Sequence, residues 1–240
     1  MKPLRPFFHY FGAKWSAGAR YPKPSFPHIV EPFAGSACYS LRYYDRKVTL
    51  IDLDPIVAGI WDYLINVKES EVLSLPMLGP YGSVDDLGDI PQEAKWLVGF
   101  WLVVAVGQPA KRVGGWMRKK LEGTSETWGD TFWSPRMRER IASQLKHIRH
   151  WDVACGSYES IGPMEATWYV DPPYQVKGKG YKYHDIDYGH LGDWCLGLRG
   201  QVIVCEQRGA TWLPFESLHE CKSTKGKSHE AIYYKETNHE

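Results

Sequence analysis

Hydrophobic and polar positions along the chain fall into blocks whose period changes. His28–Phe33 (HIVEPF) is a short apolar run entering a turn of small residues, Ala34–Ala37, and Cys38–Tyr44 carries helical spacing. Lys47–Ile51 (KVTLI) reads as a second strand ending at Asp52, and helical spacing returns over Pro55–Ile65. Strand, tight turn, helix, strand predicts a βαβ unit with a parallel sheet. From about residue 68 to 150 the pattern predicts an apolar helix over Pro91–Val106, a basic glycine-containing stretch over Lys111–Lys120, a polar loop over Glu122–Ser134 and a charged helix over Pro135–His150. Ser134 as N-cap and Pro135 at the first helical position mark where that last helix starts. Strand-like runs resume at Thr167–Val170, Gln201–Cys205 and Ala231–Tyr234, with a helix around Tyr188–Leu198. The simplest organisation is an α/β domain, residues 1–67 and 151–240, split in sequence by a mostly helical insertion, residues 68–150.

Composition narrows the class. A hydrophobic fraction of 43% and a charged fraction of 24% over 240 residues suit a globular domain rather than a disordered chain. Lys+Arg 29 against Asp+Glu 28 gives a net charge of +1, which excludes a uniformly basic nucleic-acid coat but leaves room for a local basic patch. Five cysteines (Cys38, Cys155, Cys195, Cys205, Cys221) are an odd number without a C-x-x-C pair, usage that suits a reducing cytoplasmic compartment. The longest apolar run, Trp96–Val106, is about half of the roughly 20 residues that span a bilayer, so no membrane association is expected. His147 and His150 share a helical face, but no cysteine or carboxylate near them completes a ligand set, and no metal is expected. The tryptophans Trp96, Trp101, Trp128, Trp133, Trp194 and Trp212 read mostly as packing residues.

The segment that carries chemistry is Asp171-Pro172-Pro173-Tyr174, directly after the apolar run TWYV. Two consecutive prolines fix φ and remove two backbone donors, which leaves carbonyl oxygens to face a ligand. A carboxylate just before the pair and an aromatic ring just after it suit an amino group on a planar ring. The carboxylate and a backbone carbonyl accept its N–H bonds, and the tyrosine stacks on the ring. The alternative reading of the same four residues is a cis-proline turn between strand and loop.

With two further blocks in order, this segment resembles the Dam-like DNA adenine-N6 methyltransferases, whose catalytic motif is D-P-P-Y at a strand end. His28–Leu41 (HIVEPFAGSACYSL) is similar to that family's S-adenosylmethionine motif, roughly E-P-F-x-G-x-G. Tyr10-Phe11-Gly12-Ala13-Lys14 is similar to its N-terminal cofactor motif, and Asp52 stands 21 positions after Glu31, where the family carries an acidic residue. The resemblance implies a Rossmann-like methyltransferase sheet and S-adenosylmethionine as cofactor. It implies cofactor contacts from Tyr10, Lys14, Glu31, Phe33, Gly35, Asp52 and Asp171, and catalysis by Asp171, Pro172, Pro173 and Tyr174. The residue chemistry agrees. Gly35 allows close backbone approach, the turn opens onto an expected helix N-terminus that could receive the methionine carboxylate, and Asp52 can accept from ribose hydroxyls. Asp52 can equally be a helix N-cap before Pro55, a role for which Asp54 competes. Ala37 departs from the pattern, standing where the family has a second glycine; its methyl group fits if its φ is negative.

The roughly 135 residues between Gly35 and Asp171 leave room for a target-recognition region. In it, Lys111, Arg112, Arg118, Lys119 and Lys120 surround Trp116, a mixture that suits phosphate contact plus wedging into a base step. After the catalytic segment, Lys177, Lys179 and Lys182 alternate with glycine and tyrosine and read as a lid over the substrate strand. The expected partner is double-stranded DNA. Relatives acting on RNA or on cytosine N4, and a catalytically silent nucleic-acid-binding module of the same fold, are the alternatives. The size and compact insertion suit a bacteriophage or mobile-element enzyme.

Overall fold

A computed structural model describes residues 2–15, 17–104, 106–122, 132–162, 164–176, 178–223 and 226–237. Among them the chain forms a seven-stranded sheet: β1 (His28–Glu31), β2 (Lys47–Asp52), β3 (Asp152–Cys155), β4 (Glu165–Val170), β5 (Arg199–Gln207), β6 (Glu216–Ser223) and β7 (Gly226–Glu236). The helices among the described residues are α1 (Pro55–Asn66), α2 (Glu69–Ser74), α3 (Gln92–Phe100), α4 (Gly115–Glu122), α5 (Pro135–Leu145) and α6 (Tyr188–Gly197). The strands lie in the order β3-β2-β1-β4-β5-β7-β6; the first five run parallel, and β7 and β6 complete the sheet antiparallel. The order reverses between β1 and β4. In open α/β sheets a ligand crevice forms at such a switch point, outside the carboxyl ends of the strands.

Strand alternation splits the core into two layers, as successive side chains point to opposite faces. Ile29, Leu50, Tyr169 and Ile203 join one cluster with α1, α3, α5 and the N-terminal aromatics Phe7 and Phe8. Val30, Ile51, Trp168, Val170, Val202 and Val204 join the other, beneath Leu191 and Cys195 of α6. The helices within residues 68–150 therefore share their apolar interior with α1 and one face of the sheet. Among the described residues no helix is long and apolar enough to cross a membrane.

Three predicted elements differ. The helix expected over Cys38–Tyr44 is a single 3-10 turn, Ser40–Arg42, because Tyr43 leaves the helical region (φ −127°, ψ 39°) and the chain enters β2 four residues later. The apolar helix ends at Phe100 instead of Val106. There the Gly99 carbonyl accepts from Leu102 and from Ala110 of the returning chain, which passes where a Cβ on Gly99 would lie 2.8 Å from it. The charged helix ends at Leu145 and continues as turns, in which His147 and Ile148 bond three residues back. At its start Ser134 accepts from the Met137 amide at 3.1 Å, as predicted. The basic stretch from Lys111 ends inside α4, and most of the predicted polar loop, with Trp128, lies outside the described residues.

Candidate functional site

Glu31 ends β1 facing inward. Its carboxylate is buried and accepts from the Ser40 amide at 2.7 Å, which pins the far side of the Ala34–Ala37 turn. Burial raises its pKa to about 8, with the bonds from Ser40 opposing. The turn is left-handed at two places, Gly35 (φ 46°) and Ala37 (φ 47°). A side chain at Gly35 would also press on the Tyr10 ring, at 3.1 Å. Ala37 thus violates the condition under which its methyl group was expected to fit, and left-handed backbone disfavours any Cβ by roughly 1–2 kcal/mol. The expected helix N-terminus beside this turn is absent: the amide that would point at an anion, that of Ser40, is occupied by Glu31.

Asp52, at the end of β2, braces the same turn. One oxygen accepts from the Gly35 amide and the other from the Asp54 amide, both at 2.9 Å. Burial lifts its pKa to about 6 against these two bonds. Asp54, not Asp52, is the N-cap of α1, accepting from the Ile56 amide at 3.0 Å ahead of Pro55. Trp61 of α1 donates to the Gly35 carbonyl at 2.8 Å, tying the helix to the turn.

β4 delivers Asp171 to the same crevice. No peptide bond among the described residues is cis, so the Pro172-Pro173 kink is all-trans. The Lys14 ammonium lies 3.1 Å from Asp171 Oδ1, donates to the Gly12 carbonyl at 2.9 Å and sits 4.6 Å from the centroid of the Tyr174 ring. Burial raises the pKa of Asp171 and Lys14 opposes that rise; burial works against the charge on Lys14, but Asp171 together with Tyr181, Glu230 and Cys205 outweighs it, so its pKa also lies above the usual value. Tyr174 donates its hydroxyl to Glu230 of β7 at 2.6 Å. The Pro173 carbonyl is not free, since Tyr188 donates to it at 2.6 Å.

A cavity of about 440 Å³ joins these pieces, within the 300–1,000 Å³ common for small-molecule sites. Tyr10, Lys14, Glu31, Phe33, Gly35, Asp52, Asp171 and Pro173 all line it, as does Ala37, whereas Pro172 and Tyr174 are not among its lining residues. Tyr181–Asp187 form one wall. There Tyr181 packs on Tyr10 and Phe11 and donates to the Phe11 carbonyl at 3.2 Å, and Lys182 lies 4.0 Å from Asp54. Tyr158, which follows the weakly patterned β3 and stacks on Phe33 with centroids 5.6 Å apart, and Glu230 carry no signal in the sequence, whereas Tyr181 is one of the tyrosines of the expected lid.

The basic segment lies elsewhere. Lys111, Arg112 and Lys119 are exposed, Trp116 is 52% exposed, and the Arg118 guanidinium lies 5.0 Å from the Tyr81 ring centroid. Lys111 and Arg112 follow Gln108, whose amide reaches Asp54 and which lines a shallow groove with Tyr181 and Lys182. Lys177 and the side chains of Lys120 and Lys179 lie outside the described residues.

No family model matches the sequence, and no curated protein matches it. Among solved structures, a conserved hypothetical protein from Streptococcus pyogenes aligns over 89% of this chain and 88% of its own, with 10% identity and a TM-score of 0.37. That likeness carries no argument about activity.

Proposed function

We propose that this chain is an S-adenosylmethionine-dependent methyltransferase that modifies adenine N6 in double-stranded DNA. In this reading residues 1–67 and 151–240 form a Rossmann-like methyltransferase domain, and 68–150 form a helical target-recognition region. The observation that carries it is the shared cavity: the turn after β1, the carboxyl groups of Glu31 and Asp52, and Asp171 with Pro173 border one space at the switch point of the sheet.

The donor set fits this cofactor. Asp52 keeps lone pairs for ribose hydroxyls, the Phe33–Tyr158 stack offers a flat apolar face to adenine, and Lys14 offers a cation to a carboxylate. Lys14 is then contested by two carboxylates, its own Asp171 and the cofactor's. S-adenosylmethionine would supply a methyl group on a sulfonium, whose departing thioether is neutral and needs no acid and no metal.

The chain's own residues do the rest. An adenine rotated out of the duplex stacks on Tyr174. Asp171 and the Pro172 carbonyl accept from its N6 amino group, which holds the lone pair out of ring conjugation and aims it into the cavity. Acceptance requires Asp171 to be ionised; burial opposes that and Lys14 supports it. The Tyr181–Asp187 wall bounds one side of this space, and positioning and fixed charge supply the catalysis.

The test is incubation with labelled S-adenosylmethionine and unmethylated duplex DNA, followed by nucleoside analysis. N6-methyladenine supports the reading. Label in RNA alone or on cytosine redirects the substrate, and no label with no cofactor affinity overturns it in favour of a silent binding module.

A further inference from the structure

Glu230 lies on β7, more than fifty residues beyond the D-P-P-Y segment, and belongs to none of the motifs. It pairs with Gln207 on β5 and with His219 on β6, so its position is fixed from both sides of the strand. The residue is buried, and a buried carboxylate is costly unless donors surround it. Two phenols supply them: Oε2 accepts from Tyr174 at 2.6 Å and from Tyr21 at 3.4 Å. Tyr21 is itself held edge-on against Tyr169, with centroids 5.4 Å apart, and Tyr169 stacks on Tyr39 at 4.3 Å. The acceptor that meets Tyr174 is thus anchored to the sheet and to a ladder of rings.

The consequence falls on the ring meant to receive the base. The Tyr174 main chain is fixed by the proline pair before it and by the Gly178 amide, which donates to its carbonyl at 2.6 Å. That leaves the tilt of the ring, which a bond at the far end of the side chain sets. Donation to a carboxylate also enriches the ring in electron density and strengthens its attraction for the Lys14 ammonium, 4.6 Å from its centroid.

We infer that Glu230 is a positioning residue: through the Tyr174 hydroxyl it fixes the plane on which the target base stacks. The inference rests on the methyltransferase reading and adds a residue to it.

The experiment compares Tyr174→Phe, Glu230→Ala, Glu230→Gln and the Tyr174→Phe/Glu230→Ala double variant. Each is measured for kcat with labelled S-adenosylmethionine, for cofactor affinity by calorimetry, and for fluorescence of a duplex carrying 2-aminopurine at the methylated adenine. The first, second and fourth are expected to lose the same factor in kcat, about 10- to 100-fold. They should keep cofactor affinity within about twofold and change the 2-aminopurine signal alike, because removing either end of one bond, or both, removes the same constraint. Glu230→Gln, whose amide oxygen still accepts, should recover most of the loss. If Glu230→Ala does not fold, the contrast between Tyr174→Phe and Glu230→Gln still decides. Losses that multiply in the double variant, a glutamine variant as poor as Tyr174→Phe, or kcat losses with an unchanged 2-aminopurine signal overturn the inference. Wild-type protein that neither binds S-adenosylmethionine nor transfers methyl overturns the underlying reading, and the inference with it. Wild-type activity with an unaffected Glu230→Ala overturns the inference alone.

Discussion

Replacing Glu31 by glutamine should flatten the pH dependence of stability. The carboxyl is buried at the end of β1 and its pKa is raised from an ordinary value of 4.5 to about 8. Between those two values the folded chain holds a proton that the unfolded chain has released. Stability is therefore full below about pH 4.5 and drains away as pH rises to about 8, by up to 1.36 kcal/mol per unit. Summed from pH 5 to pH 8, this one group removes about 3.5 kcal/mol, a large share of a typical domain's 5–15 kcal/mol. Glutamine keeps an acceptor for the Ser40 amide, now at 2.7 Å from the carboxylate, and cannot ionise. Urea unfolding of both proteins at pH 5, 6, 7 and 8 measures the difference. The two stability curves should diverge with rising pH, the variant becoming the more stable by about 3.5 kcal/mol more at pH 8 than at pH 5. Asp52 titrates in both proteins and cancels in the comparison. Parallel curves would refute the argument that this carboxyl is protonated in the folded state.

Asp171→Asn should lower methyl transfer by about 100-fold or more, as loss of an oriented acceptor does elsewhere, with cofactor affinity by calorimetry little changed; near-normal turnover removes the proposed role. It should also lower stability measurably, since the buried Lys14 loses the carboxylate 3.1 Å away. Binding of duplex DNA, followed by anisotropy, should weaken steeply with salt, and the Lys111→Ala/Arg112→Ala variant should reduce the log–log salt slope by about two; an unchanged slope removes both residues from the interface. Ala37→Val should cost at least about 2 kcal/mol in urea unfolding, because a β-branched residue is strongly disfavoured at φ 47°; a neutral result refutes the left-handed turn.

The sequence revealed the parts of the fold that local pattern controls. β1, β2, β4 and β5 are apolar enough to be seen because helices cover them on both faces. β3 escaped since Asp152, Ala154 and Cys155 are exposed on an edge strand and only Val153 is half-buried, which leaves no alternation to read. The helix expected after the Ala34–Ala37 turn rests on apolar residues, Tyr39 and Leu41, that are buried but held by a single 3-10 turn. In the site, most of the residues quoted from the motifs line one cavity, but Pro172 and Tyr174 do not. Their pairings were hidden, because Tyr174 finds Glu230 across 56 positions and Tyr181 finds Phe11 across 170. Spacing along the chain does not encode contacts that the sheet order creates.

The antiparallel return of β7 alongside β5 has a practical consequence for anyone sorting genes by motif. A reading frame interrupted after β5 would still encode the aromatic-glycine-lysine block, the glycine turn, the second acidic position and the full Asp-Pro-Pro-Tyr string. It would nonetheless lack the hydroxyl's anchor and leave β5 with a bare flank. Such a remnant would look whole to a pattern search and yet be an unfinished sheet.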